Sequence, residues 1–144
     1  RELSSKGFDL IDWYELDPEV VKVCQKHLSK VFGDVKANNK VKTYWGDAFE
    51  SIKKVKDSKY DKVFVDLNDD EFCINLAAKN MKGLKRILKP GGVITAQVGC
   101  LSKKPKQVKN WMELLESNFG NSKLTEAFIP SFDCRWNFAS SSHK

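Results

Sequence analysis

Four apolar runs of strand length each stop at, or just before, a carboxylate or an amide, and between them lie stretches of helical periodicity. Leu10-Ile11-Asp12-Trp13-Tyr14-Glu15-Leu16 stops at Asp17-Pro18, a pattern expected of a strand that runs into a helix with proline in its first turn. Val20, Val21, Val23, Cys24, His27, Leu28 and Val31 then recur at helical spacing, with Gly33 as the expected C-cap. Val41–Trp45 ends at Gly46-Asp47, and a short helix is expected from Ala48. Lys62–Val65 ends at Asp66, and a longer helix from about Asn75 carries Leu76, Met81, Leu84, Ile87 and Leu88 towards Lys89-Pro90-Gly91-Gly92, which reads as a helix stop and turn. Val93–Val98, carrying Gln97, is the next strand. An amphipathic helix around Val108 to Phe119 and a hairpin-like pair, Leu124–Ile129 with Trp136–Ala139, complete the series. Such alternation predicts an α/β fold, an open and mostly parallel sheet with helices on its faces, as one domain over residues 1–144 without internal repeat or linker.

In such sheets ligands bind at the carboxyl ends of the strands, where loops and helix N-termini converge. The polar residues there are Glu15 and Asp17, then Asp47, then Asp66 with Asn68 and Asp69, then Gln97. Three of these four strand ends carry acids although the chain has a net charge of +6, so the expectation is one acidic ligand-binding edge formed by Glu15, Asp47, Asp66 and Gln97. The positive charge does not point to nucleic acid, because the lysines are spread and the runs at 53–56 and 103–106 fall at helix ends. No apolar run reaches the eighteen or so residues of a membrane span. Cys24, Cys73, Cys100 and Cys134 form no C-x-x-C pair and are expected as reduced thiols in a cytoplasmic protein. His27 and His143 lack partners at ligand spacing and are expected as ordinary surface residues, so no metal is assigned.

The succession Glu15-Leu16-Asp17, Gly46-Asp47-Ala48, Asp66-Leu67-Asn68-Asp69, Leu88-Lys89-Pro90-Gly91-Gly92 and Ile129-Pro130-Ser131-Phe132 resembles the spermidine synthase family of polyamine aminopropyltransferases in order and spacing, over nearly the whole chain. Singly these motifs occur across many S-adenosylmethionine-dependent methyltransferases. The D-x-x-D combined with the late I-P-S-F narrows the match. The resemblance implies a Rossmann-like fold of the methyltransferase type with a C-terminal antiparallel strand. It also implies transfer of an aminopropyl group from decarboxylated S-adenosylmethionine, as co-substrate, to putrescine or a related amine, by a homodimer that needs no metal. By resemblance Glu15 binds the ribose hydroxyls, and Asp47, with the Ala48 backbone nearby, binds the adenine amino group. Asp66 is the base, Asp69 helps anchor the amine, and Gln97 and Phe132 line the amine site. Plainer roles compete with these. An acid before a helix is often its cap, which suits Asp17 and fits Asp47 as well as ligand binding does, and a strand-end amide bonded to backbone fits Gln97 at least as well.

The chain departs from the family at three places. The segment Asp69-Asp70-Glu71-Phe72-Cys73-Ile74-Asn75 lacks the usual proline, glycine-rich gate and tyrosine pair, so a shorter, more acidic gate is expected. Phe132 stands where spermidine synthases commonly have tyrosine, and Pro130-Ser131-Phe132 followed by Trp136 is closer to thermospermine synthase-like members, which leaves open an acceptor longer than putrescine. The family's first strand, its glycine-rich loop and its small N-terminal β-domain are not among these residues, so the chain is expected to be part of a longer one. Two other readings compete: an S-adenosylmethionine-dependent methyltransferase, and a non-catalytic relative that keeps the fold as a binding module.

Overall fold

The structure, a computed structural model, describes residues 2–32, 38–68 and 70–144. Two compact units divide the chain, Arg1–Lys54 and Val55–Lys144.

In the first unit, helix α1 (Glu2–Ser5) precedes strand β1 (Ile11–Glu15), α2 (Pro18–His27), α3 (Ser29–Phe32), β2 (Val41–Trp45) and α4 (Ala48–Ile52). β1 and β2 pair in parallel, from Ile11 opposite Val41 to Glu15 opposite Trp45, and the facing Tyr14 and Tyr44 rings stack at 4.9 Å. The Asp17 carboxylate caps α2 by accepting from the Glu19 N–H at 2.8 Å, and Pro18 follows it. That helix stops at His27, where Leu28 N–H bonds Cys24 O, and α3 begins a separate turn. The expected single helix is therefore two, and Gly33 lies outside the described residues. Val21 is buried in α2 whereas Val20, Val23 and Leu28 are exposed, so the apolar stripe is only partly covered.

The second unit holds β3 (Tyr60–Val65), α5 (Glu71–Ile87), β4 (Leu88–Cys100), α6 (Pro105–Phe119), β5 (Lys123–Ile129), a 3₁₀ turn (Pro130–Phe132) and β6 (Cys134–Ser142). Its sheet runs in the order β3-β4-β6-β5, with β3 parallel to β4 and β6 antiparallel to both of its neighbours. β6 alone is reversed in this sheet, which is the antiparallel C-terminal strand anticipated. Along β4 the buried residues alternate as Ile94, Ala96 and Val98. α5 contributes Ala77, Met81, Leu84 and Ile87 to the core and α6 contributes Val108, Trp111 and Leu115, with α6 packed on β4, β6 and α5.

The expected gate is not a loop over residues 70–75. Asp70 caps α5, its carboxylate accepting from the Cys73 N–H at 2.7 Å, and Glu71 occupies the acidic first turn. Cys73 and Ile74 are buried on the side of the helix that continues through Ala77 and Met81, which is why the helix starts four residues earlier than expected. The Cys73 N–H holds the Asp70 carboxyl below its usual 3.8, so its share of stability is present above that pH and lost as pH falls through the lowered value. Melting curves should show Asp70→Ala less stable than wild type at neutral pH. Asp70→Asn, still an acceptor, should stay close to wild type there and lose less than wild type on acidification.

At the β3–β4 start, Gly92 has no room for a side chain: a Cβ there would lie 2.8 Å from Lys89 O and 3.2 Å from Asp61 O. The Lys-Pro-Gly-Gly segment thus belongs to β4 itself, with Lys89 paired to Asp61 at 2.8 Å. His143, expected as a surface tail residue, is half-buried instead: its backbone exchanges hydrogen bonds with Gly91 and Gly92, and its ring stands edge-on to Phe119 at 6.2 Å.

The cysteine expectation fails at one pair. Cys100 and Cys134 are disulfide-bonded, with a Cα–Cα distance of 6.4 Å across 34 residues, while Cys24 and Cys73 are free. The antiparallel register places Cys100 opposite Trp136, so the end of β4 comes beside the start of β6. Among the described residues no helix is long and apolar enough to cross a membrane.

Candidate active site

In the first unit the parallel register brings the ends of β1 and β2 level, and Gly46 N–H donates to Glu15 O at 2.9 Å. Glu15 and Asp47 consequently emerge at the same carboxyl end. The Glu15 Oε1 accepts from Asp17 N–H at 3.0 Å, and its side chain is half-buried. Gly46 adopts φ +109°, a conformation that favours glycine and turns the chain sharply into α4. The Asp47 Oδ1 then caps α4, accepting from Phe49 N–H at 2.7 Å and from Glu50 N–H at 3.4 Å, with Ala48 as the first helical residue. Asp47 thus serves as a cap, the plainer of its two expected roles, through one carboxylate oxygen.

In the second unit Asp66 directly follows β3, and Val65 lies opposite Ala96, so Asp66 comes beside Gln97, which sits within β4 shortly before its end at Cys100. They open onto a cavity of about 380 Å³ whose walls also include Leu67, Asn68, Phe132, Trp136 and Phe138. Trp136 and Phe138 alternate on one face of β6, and Phe132, on the 3₁₀ turn before it, packs its ring against Trp136 at 4.4 Å. The cavity therefore offers one exposed carboxylate beside three aromatic rings. That combination suits an organic cation, whose charge the carboxylate holds while its carbon chain and charge lie against ring faces.

Gln97 is held at both polar atoms of its amide. Its Nε2 donates to Leu67 O, and its Oε1 accepts from the Trp136 indole N–H at 2.7 Å. Leu67 and Phe138 line the cavity without having been singled out in the sequence. The signal for Phe138 was its two-residue spacing from Trp136, whereas Leu67 gave none. Asp69 lies outside the described residues. Among the described residues no group of three or more His, Cys, Asp or Glu side chains is placed to hold a metal ion.

The spermine/spermidine synthase domain family matches residues 2–144. The chain belongs to that family. Among its relatives, a polyamine aminopropyltransferase of Prochlorococcus marinus (strain MIT 9215) is 31% identical over 140 residues, which cover 91% of this chain and 48% of that protein. The chain spans about half the length of the curated relatives it matches. A spermidine synthase solved in complex with the transition-state analogue AdoDATO superimposes with a TM-score of 0.80 at 16% identity, over 99% of this chain and 47% of that one. The spermidine synthase of Thermotoga maritima gives 0.83 at 16% identity, over 99% and 48%. At that identity the likeness is one of fold: a Rossmann-like α/β architecture, common to the spermine/spermidine synthase family and to this member of it.

Proposed function

We propose that these residues form the catalytic part of a polyamine aminopropyltransferase, with decarboxylated S-adenosylmethionine as donor and putrescine or a longer polyamine as acceptor, working as a homodimer. The observation that carries the reading is the Asp66 carboxylate set at the end of β3 in a cavity walled by Phe132, Trp136 and Phe138, in a chain of this family. An ammonium has no lone pair, so the acceptor must lose a proton before it attacks; Asp66 takes that proton. The amine nitrogen then bonds to the carbon next to the sulfonium as the carbon–sulfur bond breaks, and neutral methylthioadenosine leaves with the electron pair. Phe132 and Trp136 hold the methylene chain of the acceptor, and Asp69 serves as a second anchor for its amino groups. On the donor side Glu15 accepts from the ribose hydroxyls, while Asp47 and the Ala48 backbone meet the adenine, the oxygen of Asp47 that does not cap α4 being the one used.

Incubating the full-length protein with decarboxylated S-adenosylmethionine and a panel of diamines and triamines should release methylthioadenosine and a lengthened amine. Methylation from S-adenosylmethionine, or no turnover with either donor, would replace this reading by the methyltransferase or the non-catalytic one. Within it, Glu15→Gln should weaken nucleoside binding by about 1–3 kcal/mol, as a charged hydrogen bond becomes a neutral one. Calorimetric titration with methylthioadenosine measures this, and affinity within about twofold of wild type would remove Glu15 from the site.

A further inference from the structure

We propose that Gln97 and Trp136 are positioning residues: a relay from the Trp136 indole N–H through the Gln97 amide to the Leu67 carbonyl fixes the loop that carries Asp66. This rests on the aminopropyl-transfer reading for its kinetic consequence, but not for its geometry.

The relay joins segments far apart in the chain, 39 residues between Trp136 and Gln97 and 30 between Gln97 and Leu67. Its direction has one solution. An indole nitrogen can only donate and a peptide carbonyl can only accept, so the amide must turn its oxygen to Trp136 and its nitrogen to Leu67. Gln97 sits opposite Phe138 in the β4–β6 register, immediately before a shift in that register, and Trp136 lies two residues before Phe138 in β6, on the same face. The two strands thus form a rigid base, and the Leu67 carbonyl, one residue past Asp66, is fastened to it. The family resemblance had pointed to Gln97 as a contact for the amine. Here the amide oxygen and one of its two N–H groups are already engaged within the protein, and through them Gln97 acts on the placement of Asp66. A group displaced by about 1 Å from its productive position can cost as much as a hundredfold in rate.

Trp136→Phe keeps a ring against Phe132 but removes the indole N–H together with part of the ring area. Gln97→Glu keeps the acceptor for Trp136 but sets a carboxylate oxygen against the Leu67 carbonyl. In the full-length protein each should lower kcat/KM for the amine by about tenfold to a hundredfold while KM for the nucleoside stays within about twofold. The double variant should be no worse than the poorer single one, because both break one relay. Hydrogen exchange read by mass spectrometry should show faster exchange over the backbone at 66–68 in both variants, with protection in β4 and β6 unchanged. Loss of packing or of wall area alone would leave exchange at 66–68 as in the wild type. Unchanged exchange at 66–68 in Trp136→Phe overturns the relay whether or not the protein transfers aminopropyl groups, and a wild type without that activity overturns only the proposed reaction. Should Gln97→Glu fail to fold, Trp136→Phe decides alone.

Discussion

Under the proposed function, Asp66→Asn in the full-length protein should abolish aminopropyl transfer, lowering kcat by about 10²–10⁴-fold, the range expected when a positioned proton acceptor is lost. An amide preserves the size of the side chain at the end of β3, so the cavity formed with Phe132, Trp136 and Phe138 should persist. Nucleoside affinity, which the proposed function gives to Glu15 and Asp47, should therefore remain within a few-fold of wild type. Raising the pH supplies free amine in solution but not the anchored geometry, so activity should recover only in part. Recovery to the wild-type rate at high pH would mean that proton removal is the sole contribution of Asp66. Full activity of Asp66→Asn at neutral pH would remove it from the mechanism altogether.

Replacing both Cys100 and Cys134 by serine should destabilise the folded protein by about 3–4 kcal/mol, the chain-entropy effect expected of a crosslink that closes a loop of this length. The bridge spans 34 residues and fastens β4 to β6 beside the turn that carries Phe132. Against a net stability of roughly 5–15 kcal/mol for a typical protein, a loss of that size should be plain in urea or thermal melts. Thiol titration in denaturant without reductant should find two thiols, those of Cys24 and Cys73, and four after reduction. In the native protein Cys73 should react more slowly than Cys24, because burial raises its pKa and shields it. Four thiols before reduction would show that the bridge does not form.

The alternation of elements was legible because it rests on local signals: period-2 or helical apolar spacing, an aspartate before α2, α4 and α5, and glycine after α6. Asp17-Pro18 at α2 and Asp47-Ala48 at α4 are of this kind, and both aspartates cap as their positions suggested. Asp70 carries the same signal, an N-cap followed by Glu71, at a position where the family resemblance implies a gate instead of a helix start. What could not be read locally depends on tertiary register. The Cys100–Cys134 bond, the Trp136–Gln97 contact and the pairing of His143 with Gly91 and Gly92 each join residues more than thirty positions apart. The length of β6 belongs here too. Ser140, Ser141 and Ser142 look like a polar tail in sequence, yet they pair with β4, and Ser141 Oγ donates to Asn121 O at 2.6 Å.

The cavity walls come from separable stretches of chain: the carboxylate from the loop after β3, the aromatic rings from the β5–β6 hairpin and its turn. Under the proposed function, the group that reacts and the surface that measures the acceptor are therefore encoded about seventy residues apart. Changes at Phe132 or Phe138 can alter which amine fits without touching the base. Descendants of one ancestral gene can in this way diverge in acceptor preference by drift within a single hairpin, and a designer seeking a new acceptor has a short, contiguous segment to randomise. Trp136 is the exception, since it both shapes the wall and, through Gln97, holds the base, so a library built on the hairpin should leave it constant.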